Sequence, residues 1–94
     1  DEKSVKKRWK EDSSKQLTEL IDVIQSIDDF SSSNQEKVVI SWIESKGYSL
    51  GAVLNAARVA IVGSATGPHL FDITEIIGKE ETIRRIQTAI EKLG

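Results

Sequence analysis

Arg58-Val-Ala-Ile-Val-Gly63-Ser-Ala-Thr-Gly67-Pro68-His-Leu70-Phe71-Asp-Ile73, then Gly78-Lys-Glu-Glu-Thr-Ile-Arg-Arg-Ile86, is the stretch on which the rest of the chain turns. It contains the end of an apolar helix carrying one arginine, a loop bounded by glycines, and a short helix opened by proline. A second glycine break and a charged helix follow. Ser49 is placed to cap the first of these helices, which runs from Leu50 to about Val62. After Asn55 that helix is apolar nearly all round, with Ala56, Ala57, Val59, Ala60, Ile61 and Val62. Such a helix belongs in the middle of a bundle, and its alanines let neighbours come close. Gly63 ends it.

Gly67-Pro68 is the next start signal, because proline lacks an amide hydrogen and its φ already suits a first helical turn. Leu70, Phe71, Ile73, Ile76 and Ile77 follow, and Gly78 stops the helix. The last helix sets Ile83, Ile86, Ile90 and Leu93 on one stripe. Its first turn holds Glu80 and Glu81, each four residues before an arginine, Arg84 or Arg85. That order favours i,i+4 pairs and complements the helix dipole.

Upstream, residues 1–12 are dense in charge, with Val5 and Trp9 on one helical face. Leu17, Leu20, Ile21, Ile24 and Ile27 form an amphipathic stripe. Ser13-Ser14 is placed to kink that helix, interrupt it, or cap a new one. Asp28-Asp29-Phe30 and three serines end it. Ser33 followed by Glu36 fits a capping box and starts a helix that gathers Val38, Val39, Trp42 and Ile43. Lys46-Gly47 closes that helix with a basic turn and a glycine cap. No useful length alternates as a strand does, and no repeat or low-complexity segment is evident. The expected fold is all-α, a compact bundle or orthogonal cage of five or six helices with short loops, forming one domain over residues 1–94.

Ninety-four residues suit one soluble domain, with 38% hydrophobic and 30% charged residues. The absence of cysteine excludes disulfides and thiolate metal sites, and a lone histidine would need carboxylate partners to hold a metal. No apolar run approaches the roughly 20 residues that span a bilayer, and no secretory signal opens the chain. The net charge of −2 lacks the positive excess of a protein that grips nucleic-acid backbone indiscriminately. A nucleic-acid role must therefore rest on local base contacts or on help from elsewhere. The chain has no methionine and begins Asp1-Glu2-Lys3, so a fragment of a longer protein is expected.

Arg58 is the sharpest single residue, since it interrupts the most apolar helix. Its head must stay in water, pair with a carboxylate, or meet a ligand, and the residues alone leave these open. A guanidinium fork suits base edges and phosphates. The Gly63–Pro68 loop is not a phosphate loop. Only three residues separate its glycines, and proline follows where lysine is needed. It reads first as a tight connection whose following helix start has amides to donate. Leu70 and Phe71 are core candidates, and Phe71 is also a candidate stacking face. Trp9 and Trp42 read as core or contact residues. His69 has no nucleophile or carboxylate for a triad. The Lys3–Lys10 run is a solvated face or a line along phosphates. The glutamate pairs suffice to explain Arg84 and Arg85.

The Arg58–Gly63 run, Thr66–Ile73 and the Gly78–Ile86 segment together resemble the C-terminal end of bacterial glutamyl-tRNA synthetases. The opening Lys6-Lys7-Arg8-Trp9, the Leu17–Asp29 helix and Phe30 extend the resemblance over essentially the whole chain. It implies a class I synthetase that joins glutamate to its tRNA with ATP and magnesium. It also implies an all-helical C-terminal half that reads the anticodon. By motif position, Arg58 becomes a base-contacting arginine. Pro68, Leu70 and Phe71 become the corner that receives a splayed base, and Gly67 permits close approach. Ser64-Ala65 depart from the bulkier or charged residues common there. The family's HIGH and lysine-serine motifs are absent, so the fragment itself is expected to be a non-catalytic module without cofactor. Its implied partners are the anticodon loop of the glutamate tRNA and the remainder of the synthetase, a cytoplasmic monomer. A helical protein-interaction domain is the competing function and requires exposed Trp9 and Trp42. A small stand-alone enzyme is the third, and no nucleophile–base pair supports it.

Overall fold

The computed structural model describes residues 12–63 and 69–93. These form five helices: α1 Ser13–Ser26, α2 Ser32–Lys46, α3 Leu50–Val62, α4 Leu70–Ile77 and α5 Lys79–Leu93. The all-α expectation holds. Helix α5 packs against α1 and α3, and α4 packs against α2. One core gathers Leu17, Leu20, Ile24, Val39, Ile43, Val53, Ala56, Ala57, Ile61 and Ile86. The apolar helix α3 is central, as its composition requires, with Val53, Ala56 and Ala57 almost completely buried.

Caps follow their physical logic. The Ser49 hydroxyl accepts from the Ala52 amide at 3.3 Å. At the end of α2, the Gly47 and Tyr48 amides donate to the Glu44 and Ile43 carbonyls, a Schellman closure. At the end of α3, Gly63 takes φ 82°, and its amide donates to the Val59 carbonyl. A side chain there would be strained, although a Cβ would meet nothing within 4 Å. Gly78 is the single residue between α4 and α5, at φ 90° and ψ 166°, a backbone region essentially confined to glycine.

Several local expectations are corrected. Ser13-Ser14 open α1 rather than capping it, and the residues before Asp12 lie outside those described. The helix starts at Ser13, itself buried, with Asp12 at the cap position. The capping box at Ser33 does not form, and Ser31 occupies the cap position. One tertiary and one local carboxylate favour this register. Glu75 accepts the Ser32 amide at 3.2 Å, and Asp29 accepts the Ser31 amide at 3.1 Å. The register also sends Gln35 inward. Its Nε2 donates to the Phe30 carbonyl at 2.7 Å, and its Oε1 accepts the Thr74 hydroxyl at 2.6 Å. The stripe of α5 is rotated from the expected one. Thr82, Ile86 and Ala89 are buried, with Ile83 and Ile90 flanking. Small Thr82 and Ala89 suit a close approach to alanine-rich α3, and the Thr82 hydroxyl is satisfied by the Gly78 carbonyl at 2.8 Å. On α4, Thr74 takes a core position and Ile76 is 84% exposed.

Distant segments are also tied by polar contacts. The Lys79 ammonium donates to the Ile27 carbonyl and, at 3.4 Å, to that of Gln25 at the end of α1. The Tyr48 hydroxyl donates to the Glu19 carboxylate. Burial first, and that bond second, raise the Tyr48 pKa above its ordinary value.

Candidate functional site

Arg58 lies in the second half of α3, half-buried, with one terminal guanidinium nitrogen buried. Leu54 and Ile61 are its neighbours one turn away on the same helix surface. Leu54, Ala57 and Ile61 line a seam with Leu70, Phe71 and Thr74, so the α3 residues one turn from Arg58 face the start of α4. That seam has only about 10 Å³ of free space, barely enough for one water. No base can enter it.

Leu70 and Phe71 are each 6% exposed and belong to the core. Their side chains anchor the first turn of α4 and offer no open stacking face here. Gly67 and Pro68 lie outside the described residues, as do Trp9 and the Lys3–Lys10 run. The described helix opens at Leu70 with His69 in the cap position. The exposed ring of this corner is that of His69. It meets Phe71 edge-on, with centroids 5.6 Å apart, and its Nε2 lies 3.3 Å from Glu36. Glu36 was not legible as its partner because it lies on α2, far from His69 in sequence.

Helix geometry leaves the first amides of α4 without intrahelical acceptors. Asp72 stands in that same first turn. Its carboxylate opposes a second anion there, so this helix start suits a neutral carbonyl of a base edge better than a phosphate.

The other side of α3 carries a feature the sequence reading missed. Arg84 and Arg85 do not pair separately with Glu80 and Glu81. Both converge on Glu81, Arg84 through two nitrogens at 2.7 and 2.6 Å and Arg85 through Nε at 2.7 Å. The hydrogen bonds from Arg84 and then Arg85 hold the Glu81 pKa down at about 2. Arg85 also donates Nη1 to the Ile61 carbonyl at 3.0 Å, bracing the last turn of α3. The unsatisfied carbonyls of a helix end were the available signal.

Trp42 is half-buried against the core and meets Tyr48 edge-on at 5.8 Å, so it is not the exposed apolar anchor a protein-interaction surface would require. Among the described residues no cluster of histidine and carboxylates could hold a metal, and no helix is long and apolar enough to cross a membrane.

Comparison with known proteins agrees with this architecture. Residues 1–90 match the family described as anticodon binding domain. A glutamate–tRNA ligase of Phocaeicola vulgatus is 58% identical over 93 residues, covering 99% of this chain and 18% of that protein. One from Porphyromonas gingivalis is 54% identical over 94 residues, 100% of this chain and 19% of that protein. The crystal structure of a glutamate tRNA ligase from Elizabethkingia meningosepticum, in complex with its amino acid, superposes with a TM-score of 0.93 at 39% identity. It is covered over 18% of its length by the whole of this chain. The chain thus spans less than a fifth of the relatives it matches. The helical order and this match over nearly the full length agree: the chain belongs to the anticodon binding domain family.

Proposed function

We propose that this chain reads anticodon bases of a glutamate tRNA as the distal C-terminal, non-catalytic module of a glutamate–tRNA ligase. The whole enzyme would be a cytoplasmic monomer that ligates glutamate to its tRNA with ATP and magnesium. The observation that carries this reading is the near-full-length family match, joined to a half-buried arginine on the central helix whose neighbours Leu54 and Ile61 line a seam with Leu70 and Phe71.

Each residue has a physical part. Arg58 presents a fork of donors to a base edge. Gly67 and Pro68 are assigned to the same site by their motif position alone. Leu70 and Phe71 act from the core, fixing where the first turn of α4 points, because both are buried. The low net charge leaves little general attraction for RNA, so affinity and base preference should fall together when a base contact is removed.

The test is binding of hairpins carrying the glutamate anticodon loop and single-base variants of it. Arg58→Ala should cost about 1–3 kcal/mol on the native loop and flatten the preference at one anticodon position. Equal loss on every loop, with unchanged melting, would refute base recognition by Arg58.

A further inference from the structure

An open groove of about 380 Å³ runs between α3 and α5, floored by Val59, Ala60 and Ala89. Its α5 wall carries Arg84, Arg85 and Lys92, and no acidic residue lines it among those described. Arg84, Thr88 and Lys92 recur every fourth residue, so they form one line along the helix with steps of about 6 Å. That step is comparable with the separation of successive phosphates along a nucleic-acid strand.

The arginines are held in place before any ligand arrives. Glu81 grips both, and the Ile61 carbonyl fixes Arg85. Further N–H groups on each guanidinium are left to donate. Arg84 and Lys92 are exposed. Arg84 and Arg85 share one carboxylate, Glu81, and Lys92 adds a third cation to the same wall, so the local field is positive on a chain whose net charge is −2. A groove with this charge and a narrow apolar floor favours a linear polyanion over a protein helix, which would want a broad apolar patch.

We propose that this groove is a second RNA contact, which holds backbone phosphates of the strand whose bases are read beside Arg58. The proposal rests on the anticodon reading. Val59, Ala60 and Gly63 lie on a different side of α3 from Leu54, Arg58 and Ile61, so the two contacts are separate. They meet at one place, the C-terminal end of α3, where Gly63 lines the groove and Arg85 braces Ile61. An RNA loop that reaches around this end engages base and backbone together. The contact also supplies the local phosphate binding that the overall charge does not.

The test is the salt dependence of hairpin binding by the full chain, from about 50 to 200 mM salt. Hairpins with the glutamate anticodon loop and with one altered anticodon base are compared. Arg85 is left intact because it braces α3. The double variant Arg84→Gln with Lys92→Gln should make the slope of log K against log salt shallower by about 1.4, at about 0.7 per lost phosphate. Lys92→Gln alone, which disturbs no ion pair, should account for about half of that. Preference between the two hairpins should be unchanged. An unaltered slope in Lys92→Gln and the double variant, with melting temperature intact, would overturn the proposal. So would a changed base preference. If the unsubstituted chain binds both hairpins equally, the anticodon reading fails, while the slopes still decide the groove.

Discussion

Thr74→Val tests what fixes the helix that carries the candidate site. The substitution keeps the shape of the side chain and removes one hydroxyl. That hydroxyl lies 2.6 Å from Gln35 Oε1 and 3.2 Å from the Phe71 carbonyl, and Thr74 and Gln35 are both 2% exposed. With valine in place, Gln35 Oε1 becomes a buried acceptor without its donor. The net bond is worth about 0.5–1.5 kcal/mol, and leaving its partner unsatisfied raises the expected cost to about 1–3 kcal/mol. For a domain of this size, a loss of 1 kcal/mol lowers the melting temperature by about 4–8 °C. Gln35→Met should cost at least as much by a different route. Thr74 can then turn to the Phe71 carbonyl, but the Phe30 carbonyl loses its donor. Reversible urea denaturation followed by circular dichroism measures both. A cost below about 0.5 kcal/mol for Thr74→Val would place it among ordinary surface substitutions and refute the pin between α2 and α4.

Two further outcomes are expected. Gly63→Ala should destabilise by about 1–2 kcal/mol from left-handed strain alone, since its Cβ meets no neighbour, and equal stability in a denaturant titration would contradict the geometry. For Glu81, the folded carboxyl titrates at about 2 against an ordinary 4.5, so its stabilisation is present above pH 4.5 and lost as pH falls toward 2. Glu81→Gln should therefore flatten the acid limb of the stability profile across that window, and a parallel profile would contradict the pairing.

Much of the fold was legible because glycine and apolar spacing mark helix ends locally. Gly47, Gly63 and Gly78 stop helices where the pattern says, and α3 is buried because it has almost no polar face. Cap choice within Ser31-Ser32-Ser33 was not legible. Three neighbouring hydroxyls offer three registers, and Glu75, distant in sequence, selects one. The burial of Thr74 and Thr82 was hidden for a similar reason: each hydroxyl is satisfied by specific acceptors, which a periodicity cannot reveal. At the candidate site, Arg58 stood out as a charge in an apolar run. The basic groove did not, because its floor and its cationic wall come from different helices. Leu70 and Phe71 were read both as core and as base-receiving residues, and only packing showed that their side chains face inward.

The one-residue joint at Gly78 has a mechanical consequence. With no slack between α4 and α5, α4 cannot tilt toward a ligand unless α5 swings with it or the Thr82 hydroxyl lets go of the joint. α4 is thus set in advance, and little ordering entropy would remain to be lost there on binding the proposed RNA. If a base docks at this corner as proposed, it meets a platform that does not yield, and selectivity there would come from stiffness.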